Sequence, residues 1–536
     1  MQTQRNKGLA LVLAAFLALL AGCGGSSNNA APSTDTTVSG SVYAAPVSGA
    51  TVVVLNSAGT TTIAGPVTTA VDGRYSIGIP SSFLTGTILF RSSGGTFVDE
   101  ATGATTTAGS LAAYMSMGSM GSNASVNLDP SSTIIADLMR IHGRTNADAS
   151  ALFASAFGFA PDASIAPCNA PYSAASSTAQ RLAGLRAMAF SQLTKDLGLS
   201  PIDQFDLLAA LAQDLADGIL DGKNASTPVS LGTGSVPEDI MNKFERALVT
   251  CLSNTTSNLT GLTVDQVGNL SFSKVSLTPT YRVEYVPLGM MGPTIGKTMF
   301  RIRITNRSDG SPATGLTVTL MPMMHMSTKN HGTPVDAATE SGTPGTYDCT
   351  AYYLMASGLN MGIWEMKVMI GMGMGAESAT FYPSVGMAMG TDTIVQRLYG
   401  PADIVSGPSG TQYTRYILFR DGSVNASSET LNLMISHAEN MMMYFNPASV
   451  GSVLSSPTGT VTSMAVSAAT DTSFTSPVIG TDAGNGHWSL SGLGGLVSGQ
   501  TATIYIKLQV NGQDKTTDGA AASGANAYTS FVVTPQ

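Results

Sequence analysis

Sulfur and imidazole crowd into one stretch of this chain, Met321-Pro-Met-Met-His-Met-Ser-Thr-Lys-Asn-His331. Thioether sulfur is soft and uncharged, so with imidazole it suits Cu(I), and with more nitrogen it can also hold Cu(II). On an extended segment Met321 and Met323 share one face and Met324 and Met326 the other, because side chains alternate. Pro322 would stiffen a turn between them, and a fold-back would bring His325 and His331 to one ion. Met321, Met323, Met324, His325, Met326 and His331 are therefore the primary candidate ligands, with copper the implied ion. A weaker copy follows Met434: His437 with Met441, Met442 and Met443, and His487 beside Trp488. Met372-Gly-Met374 and Met387-Ala-Met389 repeat the spacing in Gly-rich surroundings. Nineteen of the 27 Met lie between Met290 and Met443, and four of the five His lie in that half or its repeat. The competing use of Met is as flexible core filler, which is the expectation for Met299, Met366 and Met369. Met-rich loops can also be adhesive surfaces for a protein partner.

Other chemistry is absent from the motifs. The chain has no G-x-S-x-G, H-E-x-x-H, phosphate-binding loop or C-x-x-C, so an enzyme is not expected. Charged residues are 11% of the chain and the net charge is -9, with no basic run, which argues against nucleic-acid binding. At 536 residues the chain is too long for one core, and three or four domains are expected.

The elements that must position these side chains follow an N-terminal address. Arg5 and Lys7 precede an apolar run, Leu9 to Leu20, too short to span a bilayer. It ends in Leu20-Ala21-Gly22-Cys23, which resembles a bacterial lipobox. The resemblance implies a signal peptide over 1–22, acylation of Cys23 and a membrane anchor, with Gly24 favouring the outer membrane. Residues 23–37 read as a flexible tether. Three cysteines remain. Cys168 and Cys251 fall in one helical region and are a candidate disulfide, and Cys349 reads as a buried thiol, with a metal ligand or a partner for either other Cys as the alternatives.

From Val38 the pattern is β. Val38-Ser-Gly-Ser-Val42, Pro46-Val-Ser-Gly-Ala-Thr-Val-Val-Val-Leu55 and Asp72-Gly-Arg-Tyr75-Ser-Ile77-Gly-Ile79-Pro80 alternate apolar residues between turns. This order resembles the carboxypeptidase-regulatory-like or Cna-B-like β-sandwich over 38–128, which implies a stalk or spacer. Residues 129–272 read as an α-helical domain. Asp129 caps and Pro130 starts its first helix, with His142 beside that helix's apolar face. Further helices are predicted over 178–197, 202–220 and 237–253. Asp214, Asp217 and Asp221 lack the alternate spacing of a calcium loop and read as a helix end.

Residues 273–395 and 396–536 are β again and carry a repeat. Each has a strand, an Asp-Gly turn, a strand ending in Met and His, and a later G-x-W strand. These are Phe300 to Ile304, Asp309-Gly310, Leu316 to Met321 and Gly362-Ile-Trp364, then Tyr416 to Phe419, Asp421-Gly422, Leu431 to Met434 and Gly486-His-Trp488. The first copy, roughly 277–385, resembles the YtkA-like family of extracytoplasmic β-sandwiches, related to FixH-like proteins. Phe300-Arg-Ile-Arg-Ile304, Asp309-Gly-Ser-Pro312, Met321-Pro-Met-Met-His325, Gly345-Thr-Tyr347 and Gly362-Ile-Trp-Glu365 carry the likeness, and some members are linked to copper handling. The predicted fold class is thus mainly β and multidomain, Ig-like and transthyretin-like sandwiches with an inserted α-helical domain. The function expected is a copper-binding envelope lipoprotein. The alternative is a structural, adhesion or partner-binding surface lipoprotein whose Met residues only pack.

Overall fold

The computed structural model describes residues 35–536 except 117, 119–123, 169–175, 269–272, 290–291, 408–409, 439–444 and 455–458. The signal peptide, Cys23, most of the tether and the Met441, Met442 and Met443 candidates lie outside the described residues. Strand accounts for 39% of the chain and helix for 19%, so the fold is mainly β, as predicted. Among the described residues all the strand pairs are antiparallel apart from isolated bridges. No helix among the described residues is long and apolar enough to cross a membrane.

The N-terminal sandwich sets a four-stranded sheet (Thr62–Thr68, Thr51–Leu55, Thr87–Ser93, Ala112–Ser116) over the pair Thr36–Ser41 and Arg74–Ile79. Tyr75, Ile77 and Ile79 point inward while Arg74, Ser76 and Gly78 face water, the two-residue period of a half-buried strand. Gly40 is required by space: a Cβ there would sit 1.7 Å from the Val126 carbonyl oxygen.

Five α-helices follow among the described residues: α1 (Pro130–Arg140), α2 (Asn146–Phe157), α3 (Thr178–Asp196), α4 (Gln204–Asp214) and α5 (Ile240–Ser253). Asp129 caps α1 by accepting from Ser132 N at 2.8 Å. Helix α2 escaped the sequence reading because its Ala-rich run has little polar contrast. It is held by Phe153 and Phe157, stacked 4.5 Å apart inside the core. The predicted 202–220 helix ends early, at Asp214, whose carboxylate caps backbone donors of Gly222 (2.8 Å) and Asp221 (3.1 Å). One apolar core runs from Val38 through Val264, so the first sandwich and the helices share an interior across residue 128.

The Met-rich sandwich packs a five-stranded sheet (Val275–Leu277, Tyr281–Pro287, Gly296–Asn306, Thr346–Tyr353, Thr339–Glu340) on a four-stranded one (His331–Gly332, Val318–His325, Ile363–Ile370, Glu377–Phe381). Trp364, Tyr285, Tyr347, Tyr353 and Phe300 fill the space between them. In the C-terminal sandwich, Trp488 likewise enters the core, on a strand paired with Leu431–Ala438. In both copies the Trp strand therefore neighbours the strand that carries Met and His. The copies differ in one connection. Gly410–Arg420 pairs directly with Leu431–Ala438, whereas Gly296–Asn306 and Val318–His325 lie in opposite sheets.

Candidate metal centre

Strand alternation divides the Met/His cluster in two. Along Val318–His325 the burial alternates without a break, placing Val318, Leu320, Pro322 and Met324 inward and Thr319, Met321, Met323 and His325 outward. Pro322 is thus part of the strand and not of a turn.

On the outer face Met321 is 42% exposed and Met323 half-buried. His325 Nε2 lies 2.9 Å from Glu365 Oε2 on the neighbouring strand. His325, Glu365 and Lys367 form one wall of a cleft of about 400 Å³, and Arg246, Thr250 and Ser253 of α5 form the other. The His325 ring is committed to a carboxylate and faces away from His331, so the six primary candidates do not converge on one point.

The inner face has a different character. Met324 is fully buried and pairs across the strands with both His331 and Trp364. Met326 lies beyond it on the same side. A Cβ placed on Gly362 would come within 3.2 Å of both Met324 Cε and Met326 Cγ, so the two side chains close around that glycine. The His331 ring sits edge-on to Trp364 and to Phe445 of the C-terminal sandwich. Its Nδ1 lies 2.8 Å from the Gly332 carbonyl oxygen, and its Nε2 lies 3.4 Å from Met355 Sδ.

The protonation of His331 follows from these partners. Burial holds its pKa below the usual 6.5, and the charges of Arg415 and Arg397 push the same way, against the Gly332 hydrogen bond. At neutral pH the ring therefore carries one proton. A carbonyl oxygen can only accept, so that proton belongs on Nδ1, and the Nε2 lone pair faces the Met355 thioether. Two acceptors thus meet at 3.4 Å with no hydrogen between them. A tetrahedral ion with nitrogen and sulfur at roughly 2.0 and 2.3 Å sets its ligands about 3.5 Å apart. The donor types, tautomer and spacing all fit a soft cation, and the Nδ1–H to carbonyl bond is the usual way a ligand imidazole is oriented.

Met355 was not among the candidates from sequence. It follows the strand Thr346–Tyr353, twenty-four residues from His331, and its carbonyl accepts the Trp364 Nε1 proton at 2.9 Å. Nothing in its local sequence marks it beyond the general richness in Met.

The other candidates fare differently. His437 is 1% exposed in a central strand, cross-paired with Tyr416 and Asn446. His487 is clamped between Asp421 (Nδ1 to Oδ2, 2.9 Å) and Asp336 (Nε2 to Oδ1, 2.9 Å), which push its pKa up to about 9. An imidazolium with both nitrogens protonated has no lone pair, so His487 is a cationic bridge between sandwiches and not a ligand. Met372, Met374, Met387 and Met389 stand in solvent. Of the three expected fillers, Met366 is buried and Met369 half-buried, but Met299 is 52% exposed on an outward strand position.

The candidate disulfide is not formed: Cys168, Cys251 and Cys349 are all unbonded. Helix α3 keeps the first two apart. Cys168 lies against its first half, at Gln180 and Gly184, whereas Cys251 feels the charges of Lys195 and Asp196 at its end. Eleven helical residues rise about 16 Å, and a disulfide needs Cα atoms within about 7 Å. Burial raises the Cys349 thiol to about 12, consistent with an inert side chain.

Among the described residues no three His, Cys, Asp or Glu side chains group as a metal site, so any site here depends on thioether sulfur. No protein-family model matches the chain, and no curated protein matches it.

Proposed function

We propose that this chain is an envelope lipoprotein, anchored through Cys23, whose Met-rich sandwich binds one soft metal ion, copper in the first instance. The observation that carries the reading is the neutral His331 imidazole, tautomer fixed, with its Nε2 lone pair turned to Met355 Sδ at 3.4 Å. Met324 and Met326 adjoin on the same face and are the further thioethers within the same interior. The bound ion would supply soft Lewis acidity or one-electron exchange. The chain's own part is to hold neutral donors in a largely dry pocket.

The test is a Cu(I) titration of the soluble chain, residues 24–536, against a chromophoric chelator. Binding is expected at one equivalent, weakened at least tenfold by His331→Ala or by Met355→Leu. Met321→Leu and Met323→Leu, on the outer face, should leave it unchanged. Affinity no better than that of free methionine would end the proposal.

The second reading, a structural or adhesive surface protein, is favoured by one observation. Met324, at the centre of the cluster, is a fully buried core residue packed among aromatics. That reading expects the unsubstituted chain to show no copper above background after purification from copper-supplemented cells.

A further inference from the structure

A second chemical arrangement lies in the C-terminal sandwich, far from the Met/His strand in sequence. Asp403 and Lys515 are both wholly buried, and Lys515 Nζ lies 2.7 Å from Asp403 Oδ2. The approach is not that of a hydrogen bond, because Nζ has no partner of hydrogen-bond geometry among the described residues. An ammonium with three donors, stripped of water and left unaligned, is a costly thing to bury, since desolvation outweighs a poorly directed attraction. The surroundings nevertheless force the contact. Tyr416 Oη donates to the same Oδ2 at 2.8 Å, and its ring lies 5.5 Å from Nζ. Gly400 makes room for the carboxyl: a Cβ there would stand 2.1 Å from Asp403 Oδ2 and 2.6 Å from its Cγ. The backbone on both sides is pinned, with Tyr399 and Thr516 exchanging hydrogen bonds at 2.6 and 2.9 Å.

We propose that Lys515 and Asp403 condense to a side-chain amide, an isopeptide bond that closes the C-terminal sandwich covalently. One proton passes from the ammonium to the carboxylate, giving amine and acid. The Nζ lone pair then adds to Asp403 Cγ while Tyr416 Oη supports the oxygen that gathers charge. Loss of that oxygen as water, taking up the two remaining protons, leaves Nζ–H bonded to Cγ. The balance is one ammonium and one carboxylate to one amide and one water, and no oxidant, reductant or co-reactant is required. A dry site favours the loss of water. The fold supplies the proximity, which for well-oriented intramolecular reactions amounts to an effective concentration of roughly 10⁵ M or more.

The placement gives the bond a consequence. Asp403 belongs to the strand Val395–Gly407, the first of this sandwich, and Lys515 follows the hairpin of Ala502–Val510 and Gln513–Asp514, near the chain's end. An amide between them would close a covalent loop over residues 403–515, so that tension on the chain would bypass the strands Gly410–Arg420, Leu431–Ala438 and Ala502–Val510.

Mass spectrometry decides the matter on the protein itself. The intact soluble chain is expected to weigh one water less than its sequence requires. Proteolysis should yield a branched peptide joining the segments around Asp403 and Lys515. Lys515→Met and Asp403→Ala should restore the full mass and remove the branch. Tyr416→Phe, if it folds, should leave a measurable fraction unlinked. Recovery of both segments only as linear peptides from unsubstituted, folded protein would overturn the proposal, whatever the variants do.

Discussion

At the scale of single residues, the decisive quantity is where one proton sits. His331 could have been an ordinary buried histidine donating from Nε2 to a sulfur. The Gly332 carbonyl takes the Nδ1 proton instead, so Nε2 is a donor of electrons and not of hydrogen. A pH dependence follows. The folded pKa of His331 lies below the unfolded value near 6.5, so the unfolded chain protonates first as pH falls. Its contribution to stability is present above pH 6.5 and is lost on acidification through the folded pKa. A bound soft cation should be expelled over the same acid range, because the proton competes for the same lone pair. His331→Asn is expected to flatten the acid limb of a pH–denaturation curve recorded without metal. An unchanged limb would place the ring's proton elsewhere. Glu245 offers a second residue-scale test. It is 3% exposed in α5, neither carboxyl oxygen has a hydrogen-bond partner among the described residues, and burial raises its pKa well above the usual range. A raised carboxyl destabilises the fold as pH climbs above its unfolded value, so Glu245→Met should stabilise the protein at pH 7 by about 1–3 kcal/mol. Urea midpoints for the two proteins at pH 7 and at pH 4 would show the gain shrinking in acid.

At the scale of elements, a strand sorts ligands more strictly than their spacing in sequence suggests. Six candidate side chains within eleven residues look like one site, yet the period of two sends Met321, Met323 and His325 to the outer face and Met324 to the core. Of the outer three, His325 lines a polar cleft with Glu365 and Lys367, and Met321 and Met323 do not. Elements also fix where no side chain is tolerated. Gly40 lies in the strand Thr36–Ser41, with ordinary backbone angles but a carbonyl oxygen where its Cβ would be. Gly40→Ala is expected to cost about 2–4 kcal/mol, because the parallel bridges from Ser39 to Ser125 and from Val42 to Leu128 must part to admit a methyl group. Thermal unfolding would register this as a fall of several degrees. Gly49→Ala, at a turn with open space around it, should cost only its positive φ, about 1 kcal/mol.

At the scale of the whole molecule, the modules are joined by packing and by charge. Tyr352 from the Met-rich sandwich meets Ile417, Phe419 and Met434 of the C-terminal one. Around this apolar seam Lys297, Asp336, Asp421 and His487 form a network, with Lys297 Nζ 2.6 Å from Asp421 Oδ1. His487 is raised to about 9, so its stabilisation is complete below pH 6.5 and disappears as pH rises from there through 9. The ring is partly solvated, so the contribution is discounted to about 1–2 kcal/mol. Alkali should therefore loosen the seam first. Limited proteolysis near residues 385–395, or small-angle scattering, should detect it between pH 7 and 9.5. His487→Gln should remove most of that pH dependence. A wild-type seam indifferent to pH across this range would contradict the clamp.

The sequence alone determined what short-range physics controls. Alternation along Arg74–Ile79, the strand leading into Met321, the Asp129-Pro130 start of α1 and the helices α3 and α5 are all set within a few residues, and each was legible before the fold, whereas the continuation of that strand through Pro322 to His325 was not. The mainly β class and the kinship of Trp364 with Trp488 followed from the same local periods. Only the tertiary structure decided which donors meet. Met355 reaches His331 because one strand ends opposite another. Asp421 and Asp336 take His487 out of contention because two sandwiches dock. Lys515 finds Asp403 because the end of the chain returns to the first strand of its sandwich. Burial, proton position and convergence are properties of the packed interior, and distance along the chain carries no record of them.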